Sequence, residues 1–312
     1  MIIIYGPTAS GKTDFSLALA AHIPCEIINM DIGSFYAPLT IGTAKPNWRQ
    51  STVVHHLFDI LDRPVNYTVT QYRADVSLLI QQITSRGKVP MLVGGSGFYL
   101  KSLFFPPQAN SVNTMAIDNN QSTQQLWDEL NSVDPARAIQ IHKNDRYRIE
   151  RALLIWHETG TLPSTQAPVY QPLQDALVCH VTRDRTQLYE RINMRVVSMI
   201  ENGLIGEVQQ LRGTEWETFL REKKLIGYDD VFVYLEGPRN QIAREQMITT
   251  IATKSRNYAK RQETFWRMLE KQLSAIEGPH APKMETINLT LIDLELYIKQ
   301  LLQRYKNLKI EN

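Results

Sequence analysis

An α/β fold is what three features of this sequence predict: a doubly wound parallel sheet with a small helical domain inserted in it. The first feature is the start of the chain. Ile2, Ile3 and Ile4 form a short apolar run, and Gly6-Pro7-Thr8-Ala9-Ser10-Gly11-Lys12-Thr13 follows at once. A buried strand, the pattern G-x-x-x-x-G-K-[ST] and an amphipathic helix (Phe15, Leu17, Ala18, Leu19) make a phosphate-binding loop, and with it a P-loop NTPase-like core. The second feature is a pair of further apolar runs, 25–29 and 89–93, separated by helical patterns as crossover-linked parallel strands require. The third is an abrupt change of texture at Pro106-Pro107.

The loop has a local physical logic. Gly6 and Gly11 let the backbone curl so that successive N–H groups face an anion, and the helix that follows turns its positive end to the same place. Lys12 adds a charge, and the Thr13 hydroxyl can hold Mg²⁺. An ordinary glycine-containing turn is the bland alternative, but every fixed position of the pattern is filled. The loop announces a diphosphate or polyphosphate without saying which.

The remaining elements follow in order. Cys25 to Asn29 is a second strand ending at Met30-Asp31, and residues there lie in the crevice where open α/β sheets bind ligands. Ile32 to Pro46 reads as a loop or short helix. Tyr72 to Arg86 is a helix with Tyr72, Val76, Leu79, Ile80 and Ile83 on one face, closed by Gly87. Val89 to Val93 is a third strand, leading through Gly94-Gly95-Ser96-Gly97 into a helix over 98–104. Residues 1–106 and 173–312 are expected to form the catalytic core with its C-terminal helices, and 107–172 the inserted domain. That insert opens on an Asn/Ser/Gln-rich stretch, 108–121, and continues with helices from Leu126, from Asp134-Pro135 and over 145–158. Ala176 to Thr182 returns as a strand. Arg185 to Arg212 is a long helix interrupted near Gly203, Gln241 to Arg267 a basic one, 286–291 a strand, and 293–308 the last helix.

Composition excludes several classes. At 312 residues with 43% hydrophobic and 21% charged content, the chain suits a soluble protein of about two domains. A net charge of +2 is too balanced to argue for nucleic acid by itself, so any basic footprint must be local. Cys25 and Cys179 are far apart in apolar runs and read as reduced, buried thiols, not as a disulfide or metal site. No run reaches the ~18 apolar residues of a membrane span, and the apolar start lacks the basic flank of a signal peptide. The cytoplasm is expected.

Four stretches can carry chemistry. Asp31 suits a Mg²⁺ ligand or a general base, against a plain capping role. From Lys254 to Lys271, Lys254, Arg256, Lys260, Arg261, Arg267 and Lys271 face only Glu263 and Glu270, with Tyr258, Phe265 and Trp266 interleaved. Basic charge with aromatics suits RNA backbone and stacked bases, whereas a solvated helix face is the bland account. Arg148 and Arg151 share a helix face and suit phosphate, or else pair within the helix. His55-His56 lies on an extended segment, where neighbours point to opposite sides, so a two-histidine metal site is not expected.

Taken together, these stretches resemble the tRNA dimethylallyltransferases. The matching residues run nearly end to end: Gly6–Thr13; Asp31 with Tyr36; Ile41-Gly42-Thr43-Ala44-Lys45-Pro46; His55 to Ile60; Leu92 to Tyr99; His142, Asn144, Asp145, Arg148 and Arg151; Asp184-Arg185 through Arg191 and Arg195; Ile226-Gly227-Tyr228; and Arg256 with Tyr258-Ala259-Lys260-Arg261-Gln262. The G-T-A-K-P and A-K-R-Q stretches are the specific ones. Departures accompany them: Asp31-Ile32-Gly33-Ser34 where D-S-x-Q is usual, Ser96 where Thr is usual, Phe265 and then Trp266 where many members carry Trp two residues after Thr264, and the 108–121 stretch in place of an acidic, Arg-bearing helix.

The resemblance implies transfer of a dimethylallyl group from dimethylallyl diphosphate to N6 of the adenosine 3′ of the anticodon, releasing diphosphate. It implies that residues 6–13 bind the diphosphate with Mg²⁺ on Thr13, that Arg185 neutralises charge, and that Asp31 is the base, with Lys12 and Thr13 sharing the catalytic work. Contacts to the tRNA anticodon stem-loop are implied for Asp31, Ile32, Gly33, Ser34, Ser96, Arg148, Arg151, Lys224, Gly227, Tyr228, Arg256, Lys260, Arg261 and Gln262. A monomer is expected. A small-molecule kinase with ATP in the loop explains the core equally but not the Arg-bearing insert or the basic aromatic helix. A non-catalytic RNA-binding module is a third alternative.

Overall fold

In the computed structural model, residues 1–107, 121–166, 169–173 and 175–305 are described. The chain forms two compact units, one of residues 1–103 with 172–312 and one of residues 104–171. The 108–120 part of the Asn/Ser/Gln-rich stretch, and the expected last helix beyond Tyr305, lie outside the described residues.

The larger unit is built on six parallel strands. They are β1 (Ile2–Tyr5), β2 (Cys25–Asn29), β3 (His55–His56), β4 (Val89–Gly94), β5 (Leu177–Thr182) and β6 (Lys283–Asn288). Their order is β3-β2-β4-β1-β5-β6, and every pairing is parallel. Ile2, Ile3, Ile4 and Tyr5 are all fully buried, as the central strand of a sheet covered on both faces must be. β3 is two residues long and was not expected as a strand. It does point its histidines apart: His55 Nδ1 meets the Val53 carbonyl and His56 Nε2 meets Glu26.

Helices α1 (Lys12–Ala20), α2 (Val69–Ser85) and α3 (Gly97–Phe104) link the first strands. Thr68 and Gln71 close a reciprocal capping box at the start of α2. After β5, the expected long helix is two, α7 (Arg185–Glu201) and α8 (Leu204–Leu211), split at Gly203. α9 (Glu215–Lys223), not anticipated, and α10 (Tyr228–Glu236) follow. α11 (Gln241–Ser274) runs past the expected end at Arg267, because Leu269 and Leu273 continue its buried stripe. α12 (Leu294–Arg304) packs Ile298, Leu301 and Leu302 into the core that contains Phe15 and Leu19 of α1. A second core joins Val196, Leu204, Val208, Leu220, Phe232 and Ile251 of the C-terminal helices to Tyr36 and Leu39.

The smaller unit is helical: α4 (Thr123–Val133), α5 (Pro135–Gln140) and α6 (Arg146–Thr159). It has its own core of Leu126, Leu130, Ala138, Ile141, Ile149, Ala152 and Leu153. Asp134 starts α5, its Oδ1 accepting from the Arg137 amide at 3.0 Å. Asp145 starts α6 in the same manner. Among the described residues, no helix is long and apolar enough to cross a membrane.

Candidate active site

The carboxyl ends of β1, β2, β4 and β5 converge on one crevice, each releasing a turn that carries functional atoms. β1 runs into the phosphate loop. Ala9 (φ 63°) and Gly11 (φ 101°) take left-handed backbone, which curls the loop. Gly6 is required for a different reason: a Cβ there would sit 2.0 Å from the Val181 carbonyl oxygen. Ser10 is fully buried, and its hydroxyl has no hydrogen-bond partner among the described residues. Buried polar atoms are seldom left so, and an oxygen of a bound anion would complete this one. The Lys12 ammonium meanwhile donates to the Pro7 carbonyl at 2.9 Å.

Cations gather behind the loop. Arg183, leaving β5, donates from Nε to the Ser10 carbonyl at 2.9 Å. Arg191, on α7, donates from Nε to the Ala9 carbonyl at 3.0 Å. Arg195, one turn further, reaches the Thr43 carbonyl. Burial lowers the proton affinity of Lys12 and Arg195; the Asp31 charge pushes both back up, and the neighbouring arginines oppose it. A diphosphate would relieve that crowding of positive charge. Arg185 opens α7, is exposed, and lies over the Tyr189 ring at 5.2 Å. The arginines that bond to the loop backbone are Arg183 and Arg191. The spacing of Arg191 and Arg195 on one helix face is the sequence signal that could have singled them out.

β2 delivers Asp31. The Asp31 amide donates to Asn29 Oδ1 at 2.9 Å, and Asn29 Nδ2 donates back to the Asp31 carbonyl at 3.0 Å. Asp31 Oδ1 accepts from the Gly95 amide of the β4 turn at 2.5 Å. That leaves Oδ2 without a donor among the described residues. Gly33 packs against Thr43, where a Cβ would fall 2.5 Å from its Cγ2, and Ser34 is buried while Ile32 is exposed. The unusual Asp31–Ser34 sequence is thus fitted to the G-T-A-K-P loop beside it.

Two signature loops turn out to be a clamp on the Asp31 turn. The Lys45 ammonium donates to the Tyr36 carbonyl at 2.8 Å and pairs with Asp59. The Asp59 amide donates to the Ser34 carbonyl at 3.1 Å. Glu207 of α8 accepts from the amides of Thr40, Ile41 and Gly42 at 3.0, 2.7 and 3.1 Å and from the Tyr228 hydroxyl at 2.6 Å. Nothing in the sequence marks Glu207, whose three amide partners lie more than 160 residues earlier.

Several residues expected to touch RNA have inward roles. Tyr228 is fully buried on Glu207, and the Gly227 amide donates to Asp230. Gln262 is buried between two turns, its Oε1 accepting from the Thr8 amide and its Nε2 donating to the Gly95 carbonyl. Ser96 is buried, and Arg256 donates to Asn193 and Thr253. Trp266 is core, stacked on His180 and Tyr5. Of the cations expected to touch RNA, Lys224, Lys260 and Arg261 in the larger unit and Arg148 and Arg151 in the smaller are exposed. Phe265 and Met268 line, with Lys260, Arg261 and Thr264, an open hollow of about 340 Å³.

The sequence model of the family described as IPP transferase matches residues 34–269. The chain belongs to that family. The tRNA dimethylallyltransferase of Pseudothermotoga lettingae is 37% identical over 278 residues, 86% of each chain. The tRNA isopentenylpyrophosphate transferase of Bacillus halodurans is 30% identical and superposes with a TM-score of 0.63 over 98% of this chain and 95% of its own. A eukaryotic dimethylallyltransferase acting on tRNA shares the fold, with a TM-score of 0.79 at 24% identity, over 98% of this chain and 79% of its own. The chain is therefore a tRNA-modifying prenyltransferase with a P-loop NTPase-like fold, which decides against the small-molecule kinase and the non-catalytic RNA-binding module. In this family's terms, the crevice brings together the phosphate loop, Asp31 and a bank of arginines.

Proposed function

We propose that this transferase binds dimethylallyl diphosphate with its diphosphate in the 6–13 loop and moves the dimethylallyl group to N6 of the adenosine 3′ of the anticodon. The observation that carries the reading is the placement of Asp31, tied to the β4 turn by one carboxylate oxygen, beside an anion cradle; among the described residues its other oxygen and the buried Ser10 hydroxyl have no hydrogen-bond partner. As the C–O bond of the donor breaks, negative charge grows on the diphosphate, where loop amides and Lys12 stabilise it most in the transition state. The amine nitrogen attacks the allylic carbon, and Asp31 Oδ2 takes the N6 proton. The target base leaves its stack to reach the crevice.

Mg²⁺ fits this site as a shared ion. Thr13 is exposed on the first turn of α1, and among the described residues no three His, Cys, Asp or Glu side chains cluster to hold a metal. The Thr13 hydroxyl, donor diphosphate oxygens and water would complete its shell, and the ion would offset the charge of the leaving group. Arg148, Arg151, Lys224, Lys260 and Arg261 are assigned to the anticodon stem-loop, each exposed and cationic. The enzyme is taken to act as a monomer in the cytoplasm, in keeping with its two free, buried cysteines.

The test is product identity. Protein, Mg²⁺, the allylic diphosphate, ATP and unmodified tRNA are incubated, and the digested nucleosides are weighed by mass spectrometry. A prenylated adenosine formed only with tRNA present is expected. ADP with no mass increase on the RNA would refute the proposal. Asp31→Asn should keep tRNA affinity within a few-fold and lower the single-turnover rate by ~10² or more.

A further inference from the structure

We infer that Gln262 is a positioning residue, a strut that fixes the phosphate loop against the turn holding Asp31; this rests on the transfer reaction proposed above. The residue sits on α11, which arrives at the crevice from the far end of the chain. Its side chain is buried, 4% exposed, so RNA has no access to it. Both ends of the amide are used. Oε1 accepts from the Thr8 amide at 2.9 Å, and Nε2 donates to the Gly95 carbonyl at 2.8 Å. The partners fix which end is which, since a backbone N–H only donates and a carbonyl only accepts. On its other side, the Gly95 amide donates to Asp31 Oδ1 at 2.5 Å. One side chain thus joins the loop to the residue that orients the proposed base.

The strut is itself anchored. The Tyr5 hydroxyl, at the end of β1, donates to the Gln262 carbonyl at 3.0 Å. Trp266, one turn along α11, stacks on Tyr5 at 5.6 Å and on His180 at 4.7 Å. At Gly95, a Cβ would fall 2.2 Å from Gln262 Nε2, so the approach admits no side chain there. Only a neutral amide of this length fits the two partners. Asparagine is one methylene too short, and a glutamate would set a carboxylate oxygen against the Gly95 carbonyl.

The chemical need is plain. The leaving group belongs to one turn and the base to another, and an in-line displacement requires both to be right at once. A misplacement of about 1 Å can cost ~10² in rate. Gln262 therefore acts on the rate and not on the RNA's affinity.

The experiment uses full-length Gln262→Met and Gln262→Glu. In Gln262→Met, the single-turnover rate at saturating substrates should fall about 10- to 100-fold while the tRNA Kd stays within about 3-fold. Hydrogen exchange should speed up in peptides covering Thr8 and Gly95. In Gln262→Glu, the rate relative to wild type should rise as pH falls from about 8 to about 5.5, because a protonated carboxyl regains the donor for Gly95. A weaker tRNA Kd with an unchanged saturating rate would overturn the inference in favour of RNA contact. A lowered melting temperature with unchanged rate and exchange would overturn it in favour of simple packing. If wild type forms no prenylated adenosine, the transfer proposal fails by itself; the exchange at Thr8 and Gly95 then decides the strut, which an unchanged pattern would sink.

Discussion

Glu26 should make the stability of this enzyme acid-sensitive in a narrow and predictable window. It lies on β2, 2% exposed, with an arginine, a lysine and a histidine on its carboxylate. Arg86 Nη2 and His56 Nε2 stand at 2.7 Å and Lys88 Nζ at 3.0 Å. Burial by itself would raise the carboxyl pKa, but the hydrogen bonds from Arg86, His56 and Lys88 outweigh it and hold the group at about 2, against 4.5 in the unfolded chain. A depressed folded value means stability that is complete above the unfolded pKa and is lost as pH falls through the folded one. The difference amounts to about 3 kcal/mol at neutral pH, given 1.36 kcal/mol per pKa unit. Urea titrations of wild type and Glu26→Gln from pH 7 down to pH 2 read it directly. Other carboxylates contribute equally to both proteins, so the difference curve isolates Glu26. The gap should be widest above about pH 4.5 and close toward pH 2. Parallel curves through that range would show that Arg86, Lys88 and His56 do not stabilise the charged form.

Glu207→Ala removes four hydrogen bonds, among them the one that takes up the buried Tyr228 hydroxyl proton. A loss of about 3 kcal/mol is expected, together with faster amide exchange over residues 40–42; unchanged exchange there would deny Glu207 its hold on the loop. Arg151 is exposed with no partner among the described residues. Arg151→Ala should keep the melting temperature while lowering the slope of log K for tRNA against log salt by roughly 0.7–0.9. A constant slope would remove this residue from the RNA contact.

The phosphate loop, the strands that feed it and the position of Asp31 were legible in the residues themselves. They depend on local rules: an apolar run buried on both faces, a glycine-allowed curl, a helix start. The same rules located α2, the helices of the smaller unit and the break at Gly203. What only the tertiary structure decided is which polar side chains face inward. Tyr228 and Gln262 carry the same hydrogen-bonding groups whether they meet RNA or backbone, and the sequence does not say which. Their partners, Glu207 and the Thr8 and Gly95 turns, are supplied by strands and helices far along the chain. Arg183 and Arg191 bond to the loop backbone because the end of β5 and one face of α7 reach it, while Arg185, the first residue of α7, lies over the Tyr189 ring. Short-range pattern fixes backbone conformation, whereas a buried hydrogen bond belongs to two distant segments at once, and only packing brings them together.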